Sequence, residues 1–415
     1  MSFATNYLSK VYNQHLNNPV SKELCGTVVI PCYSEPDVFK TLQSLLGCTQ
    51  TKGVIEVIIV VNYPEYCSES EKHYNIKTYN QLLEFSYIYS NSKLIFYPFL
   101  LGEVRKKFAG PGFARKIGMD EAIYRFNFIE KPQNFIISLD ADTTVSQNYL
   151  IEIENAFLSD NSIRQTVIPF LHQTENLTEG HRKAITLYEL YLRYYRMVLE
   201  FIGWQWAYYT IGSAFAVRAS VYVEQTGMNR RNAGEDFYFL NKLFPLGGTS
   251  VLKNCIVYPS ARVSNRVVFG TGTAVEQIIA NGLIYNVYSL ESFFDLQYFI
   301  NGIQNLFKKD IPYLQSFIDN APLALAGFWR ESGFLSQIIE CNNKSSNINS
   351  FTKHIYRKFD AFQVVKFLNF AHIRHYRKNS VTVEFHKLLK KLDLAINFNS
   401  EEELLEFVQK IENTV

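Results

Sequence analysis

The sequence predicts an α/β fold in which a mostly parallel, doubly wound sheet is followed by a C-terminal helical region. Three observations support this fold class. Residues 27–30 and 54–61 form short β-branched runs, and the second is almost wholly apolar, as expected for strands buried on both faces of a sheet. Helical patterns alternate with such runs. After about residue 285 the strand signals fade.

The first elements follow this alternation in order. Residues 36–46 predict a helix with Pro36 in its first turn. Residues 70–87 predict a long amphipathic helix that leads to a third strand near 94–97. A helix over 112–126 then precedes an apolar strand at 135–139.

The later elements are less regular. They are expected to be helices at 181–202 and 235–244 and a strand at 211–218. We therefore predict an N-terminal helical extension over 1–23, the α/β domain over 24–285 and a helical region over 286–415.

Two features stand out in the C-terminal region. The polar stretch 342–350 is expected to be a linker or an exposed loop. The last helix is expected to begin at Ser400, whose hydroxyl can cap the helix while Glu403 reaches back to it.

Composition excludes several classes of protein. With 19% charged and 47% hydrophobic residues the chain has an ordinary globular balance, and its net charge of +2 predicts no general affinity for nucleic acid. The six cysteines form no CxxC pair, which favours a reduced, cytoplasmic chain. The first ten residues lack the basic start and apolar block of a signal peptide, and no uninterrupted stretch reaches 18 apolar residues.

Two carboxylates follow the strand at 135–139 directly, in Asp140-Ala-Asp142. Ligands of open α/β sheets bind at the carboxyl ends of the strands. Carboxylate oxygens at that edge suit Mg²⁺ or Mn²⁺, which would then hold a diphosphate. The alternative is that both residues are turn and capping aspartates before Ser146.

The order of five motifs resembles family 2 glycosyltransferases, which have the GT-A fold. The motifs are Val29-Ile-Pro-Cys-Tyr-Ser-Glu35, Gly110-Pro-Gly-Phe-Ala-Arg-Lys-Ile-Gly118, Leu139-Asp-Ala-Asp142, Gly212-Ser-Ala-Phe-Ala-Val-Arg218 and Gly234-Glu-Asp236. The resemblance covers roughly residues 24 to 275 and leaves the last 130 or so uncovered.

This resemblance implies transfer of a hexosyl group from a UDP- or GDP-sugar to an acceptor hydroxyl, with inversion at the anomeric carbon. It implies that Asp236 is the general base and that Glu235 orients it or the acceptor. It also implies that Asp142 is the metal ligand, while Asp140 faces the ribose or sugar and shares the ion. The alternative is that Glu235 and Asp236 only favour the dipole of a first helical turn.

The remaining donor-binding residues come partly from the resemblance and, for Arg262 and Arg266, from the match between arginine side chains and phosphate oxygens. Pro31, Tyr33 and Glu35 should border the nucleoside, and Asn62 stands where the family commonly has an acidic residue. The predicted diphosphate contacts are Arg115, Lys116, Arg262 and Arg266. For Arg115 and Lys116 the alternative is that they are basic residues on the surface at a helix start. For Arg262 and Arg266 the alternative is a structural loop with one solvated arginine. Some metal-dependent relatives use a downstream His as a third ligand, but no His lies between Glu235 and His354, so that ligand is either absent or elsewhere. His172 could approach the site, although a role as a hydrogen-bonded structural residue is favoured.

The sequence gives fewer indications of the acceptor. Tyr188, Tyr191, Tyr194 and Tyr195, with Arg193 and Arg196, could border an acceptor groove or simply pack a helix. Segment 353–391 carries ten Lys and Arg residues against two acidic ones. Such a segment could rest on the inner face of an anionic membrane and suit a lipid-linked acceptor or a polysaccharide precursor. The alternative, a solvated face over an aromatic core, is favoured.

Two other functions must be weighed. A sugar nucleotidyltransferase would share the sheet, but residues 31–36 lack the glycines and basic residues of its phosphate loop. A non-catalytic nucleotide-sugar-binding or scaffold protein would not need Asp140, Asp142 and Asp236 together. Metal-dependent hydrolysis of UDP- or GDP-sugars would separate an enzyme from a scaffold.

Overall fold

The computed structural model describes residues 2–11, 14–229, 234–263, 270–394 and 396–414. These residues form two compact units. The first comprises the chain up to residue 176 together with 210–274. The second comprises 177–209 and the chain from 275 onward. The domain boundaries drawn from the sequence stay a prediction. Helix 179–201 lies within the predicted α/β domain, but its packing assigns it to the second unit.

The elements alternate along the first half of the chain. The strands are β1 (Leu24–Cys32), β2 (Val54–Pro64), β3 (Leu94–Val104), β4 (Phe135–Ser138), β5 (Thr144–Val145), β6 (Gln165–Val167), β7 (Phe215–Arg218), β8 (Thr249–Val251), β9 (Val257–Tyr258), β10 (Asn286–Val287) and β11 (Asn379–Ser380). The α-helices are α1 (Thr5–Leu8), α2 (Val38–Leu46), α3 (Glu69–Tyr89), α4 (Pro111–Phe128), α5 (Tyr149–Ser159), α6 (Glu179–Phe201), α7 (Ala219–Glu224), α8 (Glu235–Leu243), α9 (Thr271–Ala280), α10 (Leu290–Gly302), α11 (Ile311–Asp319), α12 (Leu323–Ser332), α13 (Phe334–Lys344), α14 (Ile348–Lys358), α15 (Ala361–Arg374), α16 (Val381–Lys391) and α17 (Glu401–Thr414).

Seven strands form the central sheet of the first unit, in the order β3-β2-β1-β4-β7-β6-β8. Four of the six pairings are parallel, and only β7 runs antiparallel to its neighbours β4 and β6. The predicted mostly parallel α/β sheet is therefore confirmed. The chain leaves β1 toward β2 and β3 and returns to pair β4 with the other side of β1. This reversal is a topological switch point, where a crevice opens beyond the strand ends.

Strand β2 explains why the centre of this sheet is so apolar. All eleven of its residues are buried, as expected of a strand covered on both faces. Its one charged residue, Glu56, receives two hydrogen bonds from Arg125 of α4, at 2.6 and 2.7 Å. Both side chains are fully buried, so this bidentate pair fixes α4 on the sheet by charge as well as by packing.

Helix α4 is unusual because its buried face carries many charges. The sequence predicts this helix within two residues of its observed ends, and Pro111 at its first position fits the preference for proline there. Its buried charged residues are Arg115, Lys116, Asp120, Glu121 and Arg125. Buried charges require partners, and those of Arg115 build the site described below.

The second unit is helical, as predicted. Helix α6 packs against α16 and α17. An aromatic cluster forms part of the core, with ring centroids 4.5 Å apart for Phe299 and Phe359 and 5.0 Å apart for Trp329 and Phe334. Such pairs contribute beyond their buried area.

Of the two expectations for the C-terminal region, one is confirmed and the other is wrong. Ser400 caps α17 as predicted, since its Oγ accepts a hydrogen bond from the Glu403 N–H at 3.2 Å. The predicted linker at 342–350 is wrong. Helix α13 runs to Lys344 and α14 begins at Ile348, because Asn347 caps α14 through the Ser350 N–H. Polar residues there serve as helix ends rather than as a flexible connection.

In the described residues, no helix combines the length and the apolar character that crossing a membrane requires.

Candidate active site

The candidate site lies at the switch point, where the chain leaves β1 and β4. Asp140 and Asp142 follow β4, and Glu35 follows β1. The loop after β4 is held in place by Thr41 of α2, whose hydroxyl donates to the Ala141 carbonyl at 2.9 Å. Both sets of carboxylates therefore reach the same edge of the sheet, as the sequence predicts.

Arg115 is the centre of a buried cluster beneath this edge. Its Nη2 donates to Asp140 Oδ1 at 2.8 Å and to Glu235 Oε1 at 3.3 Å. Its Nη1 donates to Ser138 Oγ at 2.6 Å and to the Gly212 carbonyl at 3.1 Å. We call these five residues the Arg115 cluster. They come from α4, β4 with its following loop, the loop before β7, and α8, so one guanidinium ties four distant parts of the chain together.

Electrostatics keep this guanidinium charged. Arg115 is only 2% exposed. Burial alone would lower the pKa of Arg115, but Asp140, Glu235 and Asp236 together raise it above its usual value. The cluster thus holds a permanent positive charge between carboxylates, and this makes it costly to remove either partner alone.

Asp236 and Arg115 both approach the backbone of Gly212. A Cβ placed on Gly212 would lie 3.0 Å from Arg115 Nη2 and 3.1 Å from Asp236 Oδ2. The glycine therefore lets both side chains approach the backbone. Asp140 accepts a hydrogen bond from Arg115, and the charge of Asp236 also acts on this guanidinium. That the two aspartates serve one catalytic cleft stays a prediction.

The environment of Asp236 changes its acidity. Burial, followed by the neighbouring charge of Glu235, raises the pKa of Asp236 to about 7. Arg115 and a hydrogen bond from the Phe237 N–H at 2.7 Å act in the opposite direction. A carboxylate with a pKa near neutrality is suited to accept a proton.

Arg262 forms a second cluster at the mouth of the crevice. Its guanidinium contacts Glu35, Asp37 Oδ2 at 3.1 Å and Asp142 Oδ2 at 3.6 Å. We call these four residues the Arg262 cluster. Burial alone would lower the pKa of Arg262, but the carboxylates, with Glu35 foremost, raise it. Unlike Arg115, the side chain remains 27% exposed.

Short strands bring Arg262 to this place. The antiparallel pairing of β5 with β9 joins the segment after Asp142 to the segment before Arg262. Gln173 reinforces the join, since its amide donates to the Asp142 carbonyl at 3.1 Å and to the Tyr258 carbonyl at 2.6 Å. Arg266 falls outside the described residues.

The carboxylates fit a divalent cation only if the substrate supplies further ligands. Among the described residues, no group of three or more His, Cys, Asp or Glu side chains could hold a metal ion. Mg²⁺ is often bound by one or two carboxylates together with substrate phosphates and waters. Asp142 suits this role, because its side chain is 26% exposed and its contact with Arg262 is the longest in that cluster. Asp140 already accepts a hydrogen bond from Arg115.

The predicted nucleoside-binding residues lie along the ends of β1 and β2. Pro31 is in β1 opposite Val60, and Asn62 is a buried residue of β2 at a bulge opposite Gly102. Tyr33 donates its hydroxyl hydrogen to Glu71 at 3.0 Å, and burial raises its pKa to about 12. Their contact with a nucleoside stays a prediction.

Lys116 faces a different part of the first unit. Its ammonium pairs with Asp120 at 2.8 Å and donates to the Tyr7 hydroxyl at 2.8 Å. Tyr222 donates to the same Asp120 carboxylate at 2.8 Å. The structure therefore places Lys116 with α1 and α7 rather than with Asp140 and Glu235, and its assignment to the diphosphate gains no support.

His172 behaves as the sequence suggests. It is buried, its Nε2 lies 3.1 Å from Thr271 Oγ1, and its ring packs edge-on against Phe170. Two residues of the site were missed from the sequence, namely Asp37 and Ser138. Asp37 lies two residues after Glu35, on the chain segment that also approaches Arg262, so the spacing could have revealed it.

The tyrosine- and arginine-rich stretch of α6 divides into two parts. Tyr194 is fully buried, and Arg193 pairs with Glu189 at 3.0 Å and with Glu412 at 3.3 Å. Arg196 likewise pairs with Glu200 and Glu412, and Tyr195 packs on Phe293. These residues stabilise the helical unit. Tyr188 and Tyr191 contact Tyr285 instead.

Comparison with known proteins agrees with the site. Residues 135–336 match the model of "Glycosyl transferase family group 2". This stretch, just under half of the chain, is similar to family 2 glycosyltransferases. The matched residues include Asp140, Asp142, Glu235 and Asp236, so the assignment covers the carboxylates of the site. The predicted family, fold and class of enzyme are confirmed.

Structural neighbours of this glycosyltransferase are distant. Residues 1–349 of TarS from S. aureus, in complex with UDP-GlcNAc, are 16% identical, with 80% of this chain and 91% of that chain covered and a TM-score of 0.40. The mannosyltransferase PcManGT from Pyrobaculum calidifontis, in complex with GDP-Man and Mn²⁺, is 11% identical, with 99% and 92% covered and a TM-score of 0.32. These scores are too low to assign a donor. No curated protein matches the chain.

Proposed function

We propose that this glycosyltransferase moves a hexosyl group from a UDP- or GDP-sugar to an acceptor hydroxyl, with Asp236 as the general base and with inversion at the anomeric carbon. The observation that carries the proposal is the approach of both Asp236 and Arg115 to the backbone of Gly212, with Arg115 also bonded to Asp140. The raised pKa of Asp236, about 7, supports its role as a proton acceptor at the strand ends.

Each residue has a distinct part in this reaction. Asp236 accepts the proton of the acceptor hydroxyl as the new glycosidic bond forms. Glu235 holds Arg115 and keeps the pKa of Asp236 high through its charge. Asp140, held by Arg115, faces the ribose or sugar.

Asp142 is proposed to hold Mg²⁺ or Mn²⁺, which when bound stabilises the negative charge of the departing diphosphate. Arg262 supports that charge from the side of Glu35. Attack by the hydroxyl opposite the leaving group gives inversion. Pro31, Tyr33, Glu35 and Asn62 are proposed to border the nucleoside, as the resemblance implies.

Two substitutions test this division of labour. In Asp236→Asn the side chain keeps its shape but cannot accept a proton, so transfer or donor hydrolysis should fall by roughly 10²- to 10⁴-fold. Donor affinity should stay within about twofold. Asp142→Asn should instead weaken donor binding in the presence of Mn²⁺. The measurements are release of UDP or GDP from a panel of nucleotide sugars and calorimetric titration with each donor.

Asp160→Asn is the matched control, because Asp160 is an exposed residue after α5 in the same unit. It should leave both quantities unchanged. If Asp236→Asn kept full activity, Asp236 would not be the base. If the native chain neither bound nor hydrolysed any UDP- or GDP-sugar, a scaffold role would replace catalysis.

We also propose that the basic segment 353–391 rests on an anionic membrane, which suits a lipid-linked acceptor or a polysaccharide precursor and a place on the cytoplasmic face. Supporting this, Lys390 and Lys391 are exposed at the end of α16, and Ile373 is 82% exposed. Against it, Tyr356, Phe359 and Phe367 of the segment are buried. Each basic residue near such a surface contributes about 1 kcal/mol.

Vesicles test the membrane contact. Lys390→Gln combined with Lys391→Gln should reduce co-sedimentation with vesicles containing phosphatidylserine and leave the rate of donor hydrolysis unchanged. Equal co-sedimentation of the native and variant chains, or equal binding to neutral vesicles, would contradict the proposal.

A further inference from the structure

The second unit contains a cavity that the transfer reaction does not use. It has a volume of about 620 Å³, which is within the range of pockets that bind small ligands. Its aromatic wall consists of Tyr191, Tyr285 and Tyr288. The rings of Tyr191 and Tyr285 meet edge to face, with centroids 5.3 Å apart. We call this space the tyrosine cavity.

Three amide side chains line the tyrosine cavity and are exposed to water. They belong to Gln277, Asn281 and Asn286. Within the described part of the chain, none of these amides makes a side-chain hydrogen bond. Each amide offers two donor hydrogens and a carbonyl acceptor, so together they present a ring of unused hydrogen-bonding groups beside the aromatic rings.

The backbone of this wall is firmly held. Strand β10 pairs with β11, and the Val381 N–H donates to the Tyr285 carbonyl at 2.9 Å. The Tyr194 hydroxyl donates to the Tyr288 carbonyl at 2.9 Å. The hydroxyl of Tyr288 itself donates to Asn369 at 2.9 Å. Because so many bonds fix the wall, the cavity does not need to be formed by its ligand.

One cation completes the lining. Lys378 Nζ lies 4.7 Å from the centroid of the Tyr288 ring. In the ranges that the structure covers, no carboxylate lies within ion-pair distance of this ammonium, and partial burial lowers the pKa of Lys378. Other lysines nearby are paired, as Lys387 is with Glu291 and Glu384. A lysine against a ring and without a carboxylate is ready to bind an anion.

We propose that the tyrosine cavity is a carbohydrate-binding site, separate from the donor site, that takes a saccharide bearing an acidic group. The rings of Tyr191, Tyr285 and Tyr288 offer apolar surface to the C–H face of a sugar ring. The amides of Gln277, Asn281 and Asn286 bind its hydroxyl groups. Lys378 pairs with a carboxylate or phosphate on the same saccharide. This site goes beyond the proposed transfer reaction and does not require it.

The test is a binding titration of the full chain with tetrasaccharides that carry uronate or phosphate groups and with neutral tetrasaccharides of the same length. Acidic tetrasaccharides should bind, and neutral ones should bind about tenfold more weakly. Lys378→Gln should weaken acidic binding about tenfold and remove the preference for charge. Asn281→Ala should weaken both classes several-fold. Saturation-transfer NMR should show the ring protons of the saccharide in contact with aromatic protons.

Three controls make the result specific. Lys390→Gln removes an exposed lysine of the same unit and should leave saccharide binding unchanged. Asp142→Asn should weaken donor binding in the presence of Mn²⁺ and keep saccharide binding, which separates this proposal from the proposed function. Inorganic phosphate alone should compete only weakly. The proposal would be overturned if the native chain bound no acidic tetrasaccharide, or if Lys378→Gln and Asn281→Ala bound as tightly as the native chain.

Discussion

The Arg115 cluster and the Arg262 cluster use the same chemistry in different surroundings. Each places one guanidinium among several carboxylates at the switch point of the sheet. Arg115 is 2% exposed and also bonds a serine hydroxyl and a carbonyl. The Arg262 side chain is 27% exposed, and among the described residues its guanidinium contacts carboxylates. A buried, fully bonded guanidinium is a fixed part of the framework. A partly exposed one can exchange partners with a substrate or a cation at small cost.

The largest effect should follow from breaking the buried cluster. Arg115→Met keeps much of the side-chain volume but leaves Glu235 and Asp140 without their cation. We expect a loss of about 3–5 kcal/mol in the free energy of unfolding, measured by urea titration. Transfer should be abolished as well. A loss below about 1 kcal/mol would show that the cluster is not a structural framework.

The pH dependence of the reaction should report the same buried environment. With the pKa of Asp236 raised to about 7, kcat/KM for the free enzyme should fall about tenfold for each pH unit below 7, because only the ionised carboxylate accepts a proton. A profile that stayed flat between pH 5 and pH 8 would exclude Asp236 as a base of raised pKa.

The raised pKa also has a consequence for stability. A carboxyl group that is harder to ionise in the folded chain favours folding below its unfolded pKa near 4. That contribution is lost as pH rises toward 7. Asp236→Asn should remove this part of the pH dependence of unfolding, and the comparison with the native chain isolates it from other groups.

Gly212 provides a smaller change, at the contact that Arg115 and Asp236 each make with its backbone. In Gly212→Ala the new methyl group would lie 3.0 Å from one side chain and 3.1 Å from the other, so both must shift by a few tenths of an ångström. We expect a loss of about 1 kcal/mol or less in stability and a fall in kcat of about tenfold or more, since catalysis depends on position more than folding does. An unchanged kcat would mean that this contact does not position the base.

The smallest effect on stability should come from the Arg262 cluster. Arg262→Ala removes a partly exposed ion pair and should cost less than about 1 kcal/mol. Donor binding should weaken about tenfold if Arg262 supports the diphosphate. A stability loss as large as that of Arg115→Met would erase the distinction between the two clusters.

Arg115 and Lys116 show how far sequence reasoning reaches. They are adjacent, basic and within one motif, so the sequence predicts the same role for both. Successive residues of a helix point about 100° apart, and this rotation turns Arg115 toward Asp140 and Lys116 toward Asp120 and Tyr7. Adjacent basic residues on a buried helix can be assigned only when the surrounding elements are known.

The C-terminal region shows a second limit of reasoning from the sequence. Polar composition at 342–350 suggested a linker, yet the same residues end one helix and cap the next. Asparagine and serine favour both loops and helix caps, so composition alone does not separate the two.

The sequence by itself determined the α/β class, the order of strands and helices in the first unit and the carboxylates that follow β4 and open α8. It could do so because hydrophobic periodicity and strand-end motifs are local properties of the chain. Only the tertiary structure decided which charges share a guanidinium, where Lys116 points and that Tyr191 lines a cavity with residues nearly a hundred positions away. Those outcomes depend on contacts between residues distant in sequence, and no local pattern records them.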